Sequence, residues 1–295
     1  MVAASVLQRG PCRCRPLAHG DRMTRTETSN QMELERVSRR KRRNLQQLAE
    51  SLAAPTVTVA VLALWQFGAP LLGLSAFILP TPLQIVERIV TDYKLLLNNT
   101  LVTLLETLAG FFLAAAFGIV TALAIFYSRI FERAVYPLLV AMQTVPKVAL
   151  APLLVLYLGY AFAPKAFLAF LLAYFPIVIA TVVGLKALDK SMVDLVRSMG
   201  ASEWQTFIKI RLPAALPNIF AGLKVGISLA VIGAVIGEYV AAERGLGYLQ
   251  LQASSQFDTT LSFAALLIIA GIGVATFWAI EVVERRLVFQ REAAK

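Results

Sequence analysis

The sequence predicts an all-α integral membrane protein: a bundle of six membrane-spanning helices with a long, patterned loop on one side. Of 295 residues, 58% are hydrophobic and 16% charged, and the mean hydropathy of +0.70 exceeds what the core of a water-soluble domain of this length requires. A bilayer core about 30 Å thick asks for roughly 20 apolar residues per helix, and six stretches supply them, near 52–74, 101–126, 134–158, 165–184, 217–240 and 261–283. Lys and Arg are concentrated in alternate loops, the asymmetry that orients a helical membrane protein.

The chain divides into a tail, 1–50, and a transmembrane domain, 51–290. The net charge is +10, and the tail holds eleven Lys/Arg against five Asp/Glu, so it supplies six of those ten charges. In isolation, Arg39-Arg40-Lys41-Arg42-Arg43 would suit nucleic acid. Directly before an apolar span it reads as a cytoplasmic anchor of a disordered basic tail, with the lipid bilayer and not nucleic acid as its neighbour. Cys12, Cys14 and His19 lack the paired spacing of a closed zinc site, so neither a metal nor a disulfide framework is expected. Residues 1–22 have no apolar signal-peptide core, and Met23 is read as the native start, an expectation that N-terminal sequencing checks.

Several of the spans contain Gly or Pro, which neighbouring helices accommodate in a membrane. With six spans, one side collects the tail, Arg129 and Arg133, the 185–216 segment with Lys186, Lys190, Arg197, Lys209 and Arg211, and the C-terminal Arg285, Arg286, Arg291 and Lys295. The opposite loops, 80–100, 159–164 and 241–260, carry Arg88, Lys94 and Arg244. The richer side is the cytoplasm, which puts both termini inside.

The 185–216 loop is too long for a simple connector and too patterned for disorder. Ser191-x-x-Asp194 and Ser202-x-x-Gln205 both have capping-box spacing, each able to start a short helix. Gly200 supplies a turn between them, and Pro213 and Pro217 are expected to stop the second helix before the fifth span. Leu195 and Met199 share one apolar face; Trp204, Phe207 and Ile208 provide another. A protruding apolar hairpin of this kind is something a partner subunit grips.

This loop resembles the E-A-A-x3-G-x9-I-x-L-P motif of bacterial ABC importer permeases, which docks into the ATPase. Asp194-Leu195-Val196 occupies the first three positions, Gly200 follows after three residues, and Ile210, Leu212 and Pro213 complete the pattern. The acid is shortened and two alanines are replaced, while the second half matches. Gln143-Thr144-Val145-Pro146-Lys147 through Leu153, and Gly237-Glu238 through Gly245-Leu246-Gly247-Tyr248, are similar to the third-span and fifth-span signatures of the nitrate, sulfonate and taurine permeases. The resemblance covers about 80–290. It implies the six-helix fold of type I ABC importer permeases and places the chain in a bacterial inner membrane as a multi-pass subunit. It also implies a separate ATPase gripping Asp194, Leu195, Gly200, Ala201, Ile210, Leu212 and Pro213, a periplasmic or lipid-anchored binding protein, and a second permease copy making a homodimer.

No G-x-x-x-x-G-K-[ST] loop is present, so ATP hydrolysis is expected in the partner and neither cofactor nor catalytic residue in this chain. Ionisable groups at membrane depth are costly and are site candidates for that reason. Gln143 and Lys147, one turn apart in the third span, are expected to share a face, with Glu106 and Glu238 as partners. Two readings of Lys147 stand side by side: it attracts an anionic solute, or a neighbouring acid neutralises it and the pathway suits neutral vitamin precursors. Glu238 is expected to serve the pathway or to pair with Arg244 or Lys147. Gly233, Gly237, Gly245 and Gly247 are expected to permit close packing and a tight turn, the last two also serving an outer gate. The rival function is a secondary carrier, which usually needs internal repeats and broken helices at mid-membrane; no convincing self-similarity links 50–160 with 165–285, and that reading gives no reason for the 185–216 loop.

Overall fold

The structure, a computed structural model, describes residues 56–292 apart from 69, 72, 74 and 76. The basic tail, with Cys12, Cys14, His19 and Met23, lies outside the described residues. The chain separates into two units, 1–64 and 65–295, and the second contains the helical bundle. An apolar helix, α1 (Thr56–Gly68), is shorter than a full span within the described residues. No strand occurs among the described residues.

Thr81 opens α2 (Pro82–Thr91) with a capping box: its hydroxyl accepts from the Gln84 amide at 3.4 Å, and the Gln84 side chain accepts from the Thr81 amide at 2.9 Å. Then come α3 (Tyr93–Tyr127), α4 (Arg129–Met142), α5 (Ala151–Leu158) and α6 (Phe162–Lys186). A hairpin of α7 (Lys190–Ser198) and α8 (Glu203–Thr206) leads into α9 (Leu212–Ala241), and α10 (Leu246–Ser255) and α11 (Thr259–Glu292) complete the chain.

Among the described residues, four helices are long and apolar enough to cross a membrane: Tyr93–Tyr127, Phe162–Lys186, Glu203–Val240 and Thr259–Leu287. The pair Arg129–Met142 and Lys147–Leu158 passes the same test only together and is bent by 86° at its break, the geometry of a broken span or of a re-entrant loop. The continuous third span expected from the sequence is therefore broken. Pro146 has no amide proton and pushes Val145 out of the helical region, while the Thr144 hydroxyl bonds the Ala141 carbonyl at 2.8 Å. The second span starts at Tyr93, eight residues before the expected boundary, and the 241–260 loop holds the whole of α10.

The core forms where α6 lies between α3 and α9. Phe111, Ala114, Ala169, Ala173, Ile177, Ile227, Ala230 and Ala234 are buried together there. Small residues let these backbones approach closely, which is what holds helices together where lipid removes the hydrophobic drive. A Cβ on Gly110 would stand 2.5 Å from the Ala166 carbonyl oxygen, and one on Gly233 would stand 2.7 Å from Ala169 Cα. A second cluster, around Ile85, Leu96, Leu246, Leu249 and Ala264, fastens α2 and α10 onto α3 and α11. Arg88 reinforces it through Asp92 and Asp258, each at 2.7 Å.

Candidate functional site

Three sites carry the candidate residues, the first being the hairpin 187–211. Helix α7 ends in a Schellman motif: the Gly200 amide donates to the Arg197 carbonyl at 2.9 Å and the Ala201 amide to the Val196 carbonyl at 3.3 Å. Gly200 has φ of +84°, the left-handed region that disfavours any side chain. Ser202 then opens α8 with the expected capping box, accepting from the Gln205 amide at 3.2 Å while the Gln205 side chain accepts from the Ser202 amide at 3.0 Å. Ser191 does not cap. Asp189 precedes the first helical residue instead, without a side-chain cap bond, because α7 begins one residue before Ser191.

The two prolines do not stop the helix either. A π-helical turn at Phe207–Arg211 shifts the hydrogen-bond register ahead of Pro213, so the missing amide falls at the start of α9, and Pro217 is carried inside it. Glu203–Val240 is thus one continuous helix of 38 residues. Asp194 and Gly200 are exposed, Ala201, Ile210, Leu212 and Pro213 half-buried. Leu212 packs against Leu185, Ala215 and Ile219. Met192, Leu195, Met199 and Trp204 stand exposed on the hairpin. Arg197 and Glu203 pair across its turn, and Lys186 meets Glu132 at 2.7 Å at its base. Arg211 lies 5.0 Å over the Phe126 ring and Phe207 packs 5.7 Å from Tyr127, joining the hairpin to the end of α3.

The second site is the break between α4 and α5. Gln143 ends α4 and Lys147 opens the following 3-10 turn. They share a hollow of about 260 Å³ with Val148, Phe175, Pro176 and Leu229. The Lys147 ammonium donates to the Gln143 carbonyl at 3.3 Å and sits 4.7 Å over the Phe175 ring. Phe175 stands near the middle of the 25-residue α6, so the break lies at mid-span.

Glu106 and Glu238 do not line that hollow; each is 1% exposed. They belong to a third, polar site at the end of the bundle opposite the hairpin. Lys165 pairs with Glu106 at 2.9 Å. Glu238 accepts from the Gly247 amide at 2.6 Å and from the Thr103 hydroxyl at 2.6 Å. Thr103 accepts from the Leu246 amide and Asn99 from the Gly245 amide, both at 2.8 Å. Three of the amides that open α10 are thereby satisfied by side chains. Gly245 has φ of +121°, and a Cβ there would overlap the Glu238 carboxylate. Glu238 therefore serves neither Arg244 nor Lys147; it caps a helix.

Sequence reasoning passed over Lys165, an ionisable residue at the edge of the fourth apolar stretch, and that charge was the available signal. It also missed Asn99, Thr103 and Phe175, whose types are ordinary in any membrane helix.

Long apolar helices, a polar break at mid-span and an apolar hairpin extending one of the spans define the membrane subunit of a transport system. Residues 114–289 match the family described as binding-protein-dependent transport system inner membrane component, and the chain belongs to that family. It is an integral, multi-pass permease component of an ABC transporter, whose ATPase activity lies in separate subunits. A probable ABC transporter permease of Haemophilus influenzae is 38% identical, covering 81% of this chain and 98% of its own. The formylaminopyrimidine transport permease ThiX of Halalkalibacterium halodurans is also 38% identical, over 77% of this chain and 91% of its own. The putative aliphatic sulfonates transport permease SsuC of Bacillus subtilis is 31% identical, over 83% and 88%. In fold, the chain is similar to the inward-facing MetNI methionine ABC transporter, with a TM-score of 0.54 at 19% identity, covering 68% of this chain and 97% of that one.

Proposed function

We propose that this chain forms the translocation pathway of an ATP-driven importer for a small solute handed over by a binding protein. It works in a bacterial inner membrane as a homodimer, with both termini cytoplasmic. One observation carries the reading: the 187–211 hairpin displays Leu195, Met199 and Trp204 to solvent and runs without interruption into the span Glu203–Val240. An apolar hairpin left outside the bundle supports a docked ATPase, gripped through Asp194, Leu195, Gly200 and Ala201, with Ile210, Leu212 and Pro213 transmitting the load. Movement of the hairpin then swings the span as a rigid body and switches access from one side to the other.

The solute crosses at the α4–α5 break, past Gln143 and Lys147, where the bent helix pair borders a hollow of about 260 Å³; broken helices at mid-membrane are equally a mark of secondary carriers, so the hairpin and not the break carries the importer reading. At the opposite end, Gly245 and Gly247, held by Glu238 beside the Glu106–Lys165 pair, form the base of the outer gate. The solutes in the relatives' names differ, aliphatic sulfonates in one and formylaminopyrimidine in another, so this chain's solute is a small organic molecule or oxyanion selected with the binding protein.

The test is ATP hydrolysis by the permease co-expressed with the ATPase encoded beside it, comparing wild type with Gly200→Asp. The expected result is a wild-type complex whose hydrolysis responds to the loaded binding protein and a variant that fails to dock or to couple. Transport that continues without an associated ATPase, and that tolerates Gly200→Asp, would instead favour a secondary carrier.

A further inference from the structure

We propose that Glu106 and Glu238 hold a single proton between them, so that with Lys165 they form a neutral, buried proton-binding site where α3, α6, α9 and α10 meet. The site stands on the packing of the bundle alone; only its bearing on the outer gate rests on the pathway reading above.

The backbone brings the three ionisable groups together. Thr103 and Glu106 are three residues apart and share one face of α3, and Glu238 is fixed to that face by the Thr103 hydroxyl at 2.6 Å. A Cβ on Gly237, the residue before Glu238, would stand 2.9 Å from Lys165 Cα. Helices α6 and α9 therefore touch where Lys165 meets Glu106 at 2.9 Å. The two carboxyl groups are within hydrogen-bonding reach of each other, and all three side chains are buried. The remaining titratable groups nearby stand apart. Glu243 and Arg244, in the turn before α10, are exposed and Tyr248 is half-buried, while the Tyr239 hydroxyl is turned to Gln250 at 2.5 Å.

Two anions beside one cation leave a net negative charge where an unpaired charge is most costly. The hydrogen bonds point the same way. Glu106 Oε1 accepts from Lys165, while its Oε2 is buried without a donor among the described residues. Glu238 already accepts from Thr103 and from the Gly247 amide. A carboxylate has no donor to offer another carboxylate; a carboxylic acid has one. A single proton on this pair supplies the missing bond and cancels the excess charge at once, as carboxyl groups sharing one site do. Its route to water is a hollow of about 640 Å³ beside Asn99, whose walls include Val102, Arg244 and Tyr248. When the proton leaves, the two carboxylates repel and the Glu238 hold on the start of α10 weakens.

The test uses the full-length permease assembled with its ATPase. Infrared difference spectra, wild type minus variant, read the C=O stretch of a protonated carboxyl group, which D2O shifts downward. Wild type should show one such band against Glu106→Gln and the same band against Glu238→Gln, because either substitution leaves one carboxylate matched to Lys165. Stability reports the same proton. Above about pH 4.3, where an unfolded glutamate is ionised, a folded state that keeps one extra proton loses stability as pH rises, by about tenfold in the folding equilibrium per pH unit. The wild-type melting temperature should therefore fall more steeply with rising pH than that of either variant. Glu106→Gln, whose amide supplies the missing donor, should melt no lower than wild type in alkaline buffer. Glu106→Gln combined with Glu238→Gln strands Lys165 and should melt well below both single variants. Absence of the acid band, a band that survives in one single variant, or equal pH slopes would overturn the inference. The first would put a water at the bare oxygen, and the second would assign the proton to one glutamate alone. Hydrolysis by the wild-type complex, with and without the loaded binding protein, decides the importer reading separately.

Discussion

Single residues decide the polar site at the end opposite the hairpin. Thr103 relays between Glu238 and the Leu246 amide, so Thr103→Val keeps the shape and removes both bonds. Leaving buried groups unpaired costs about 1–3 kcal/mol each, and the variant's melting temperature in detergent should fall. Lys165→Met should fall further, because a buried carboxylate stripped of its partner costs about 3–5 kcal/mol, and Glu106 already has one oxygen without a hydrogen bond among the described residues. Glu106→Gln added to Lys165→Met should recover most of the loss, an outcome that a purely steric defect would not give. Little of this was legible in the sequence. Glu238 and Thr103 lie 135 residues apart, and no spacing rule links them. Gly245 was legible as a turn residue, but that it also clears room for a carboxylate emerges only once α9 and α10 are folded together.

At the scale of elements, the hairpin was the best-read part of the chain because its signals are local. Gly200 and the Ser202–Gln205 box act within a few residues, and the structure realises both. The misreadings nearby share one cause, which is that tertiary continuity overrode a local rule. Pro213 looked like a stop and became the first turn of a long helix, since the π-turn at Phe207–Arg211 absorbed its defect. The broken third span failed differently. An apolar run of 25 residues has enough total hydropathy to cross the bilayer whether or not it bends, so hydropathy alone hides a proline break. Two outcomes are expected of the hairpin. Trp204→Ala and Leu195→Ala should each weaken ATPase co-purification by about 2 kcal/mol or more if they are anchors, while membrane insertion is unchanged. Ser202→Ala should cost about 1 kcal/mol of helix stability and lower coupled hydrolysis less than either.

For the whole molecule, the charge asymmetry that oriented the sequence predicts which ends a reagent can reach. Applied to intact cells expressing the chain with Cys12→Ser and Cys14→Ser, a membrane-impermeant maleimide should label Tyr160→Cys, between α5 and α6, and should miss Ser198→Cys until the membrane is opened. The reverse pattern would invert the topology. Tyr157 and Leu156 stand exposed on α5, and if a second copy covers them Tyr157→Cys should cross-link to its equivalent in native membranes.

The long helix Glu203–Val240 has a further consequence for timing. Its 38 residues span about 57 Å at 1.5 Å per residue, with one end in the hairpin and Glu238 near the other, holding the first turn of α10. On the proposed mechanism, a rod with little slack would make the contact at its far end keep step with an ATPase docked at its near end. If the hairpin is driven and the start of α10 is the outer gate, as proposed above, two doors worked by one rod would not stand open together, and the membrane would stay sealed to small ions without any sensor for the state of the opposite door.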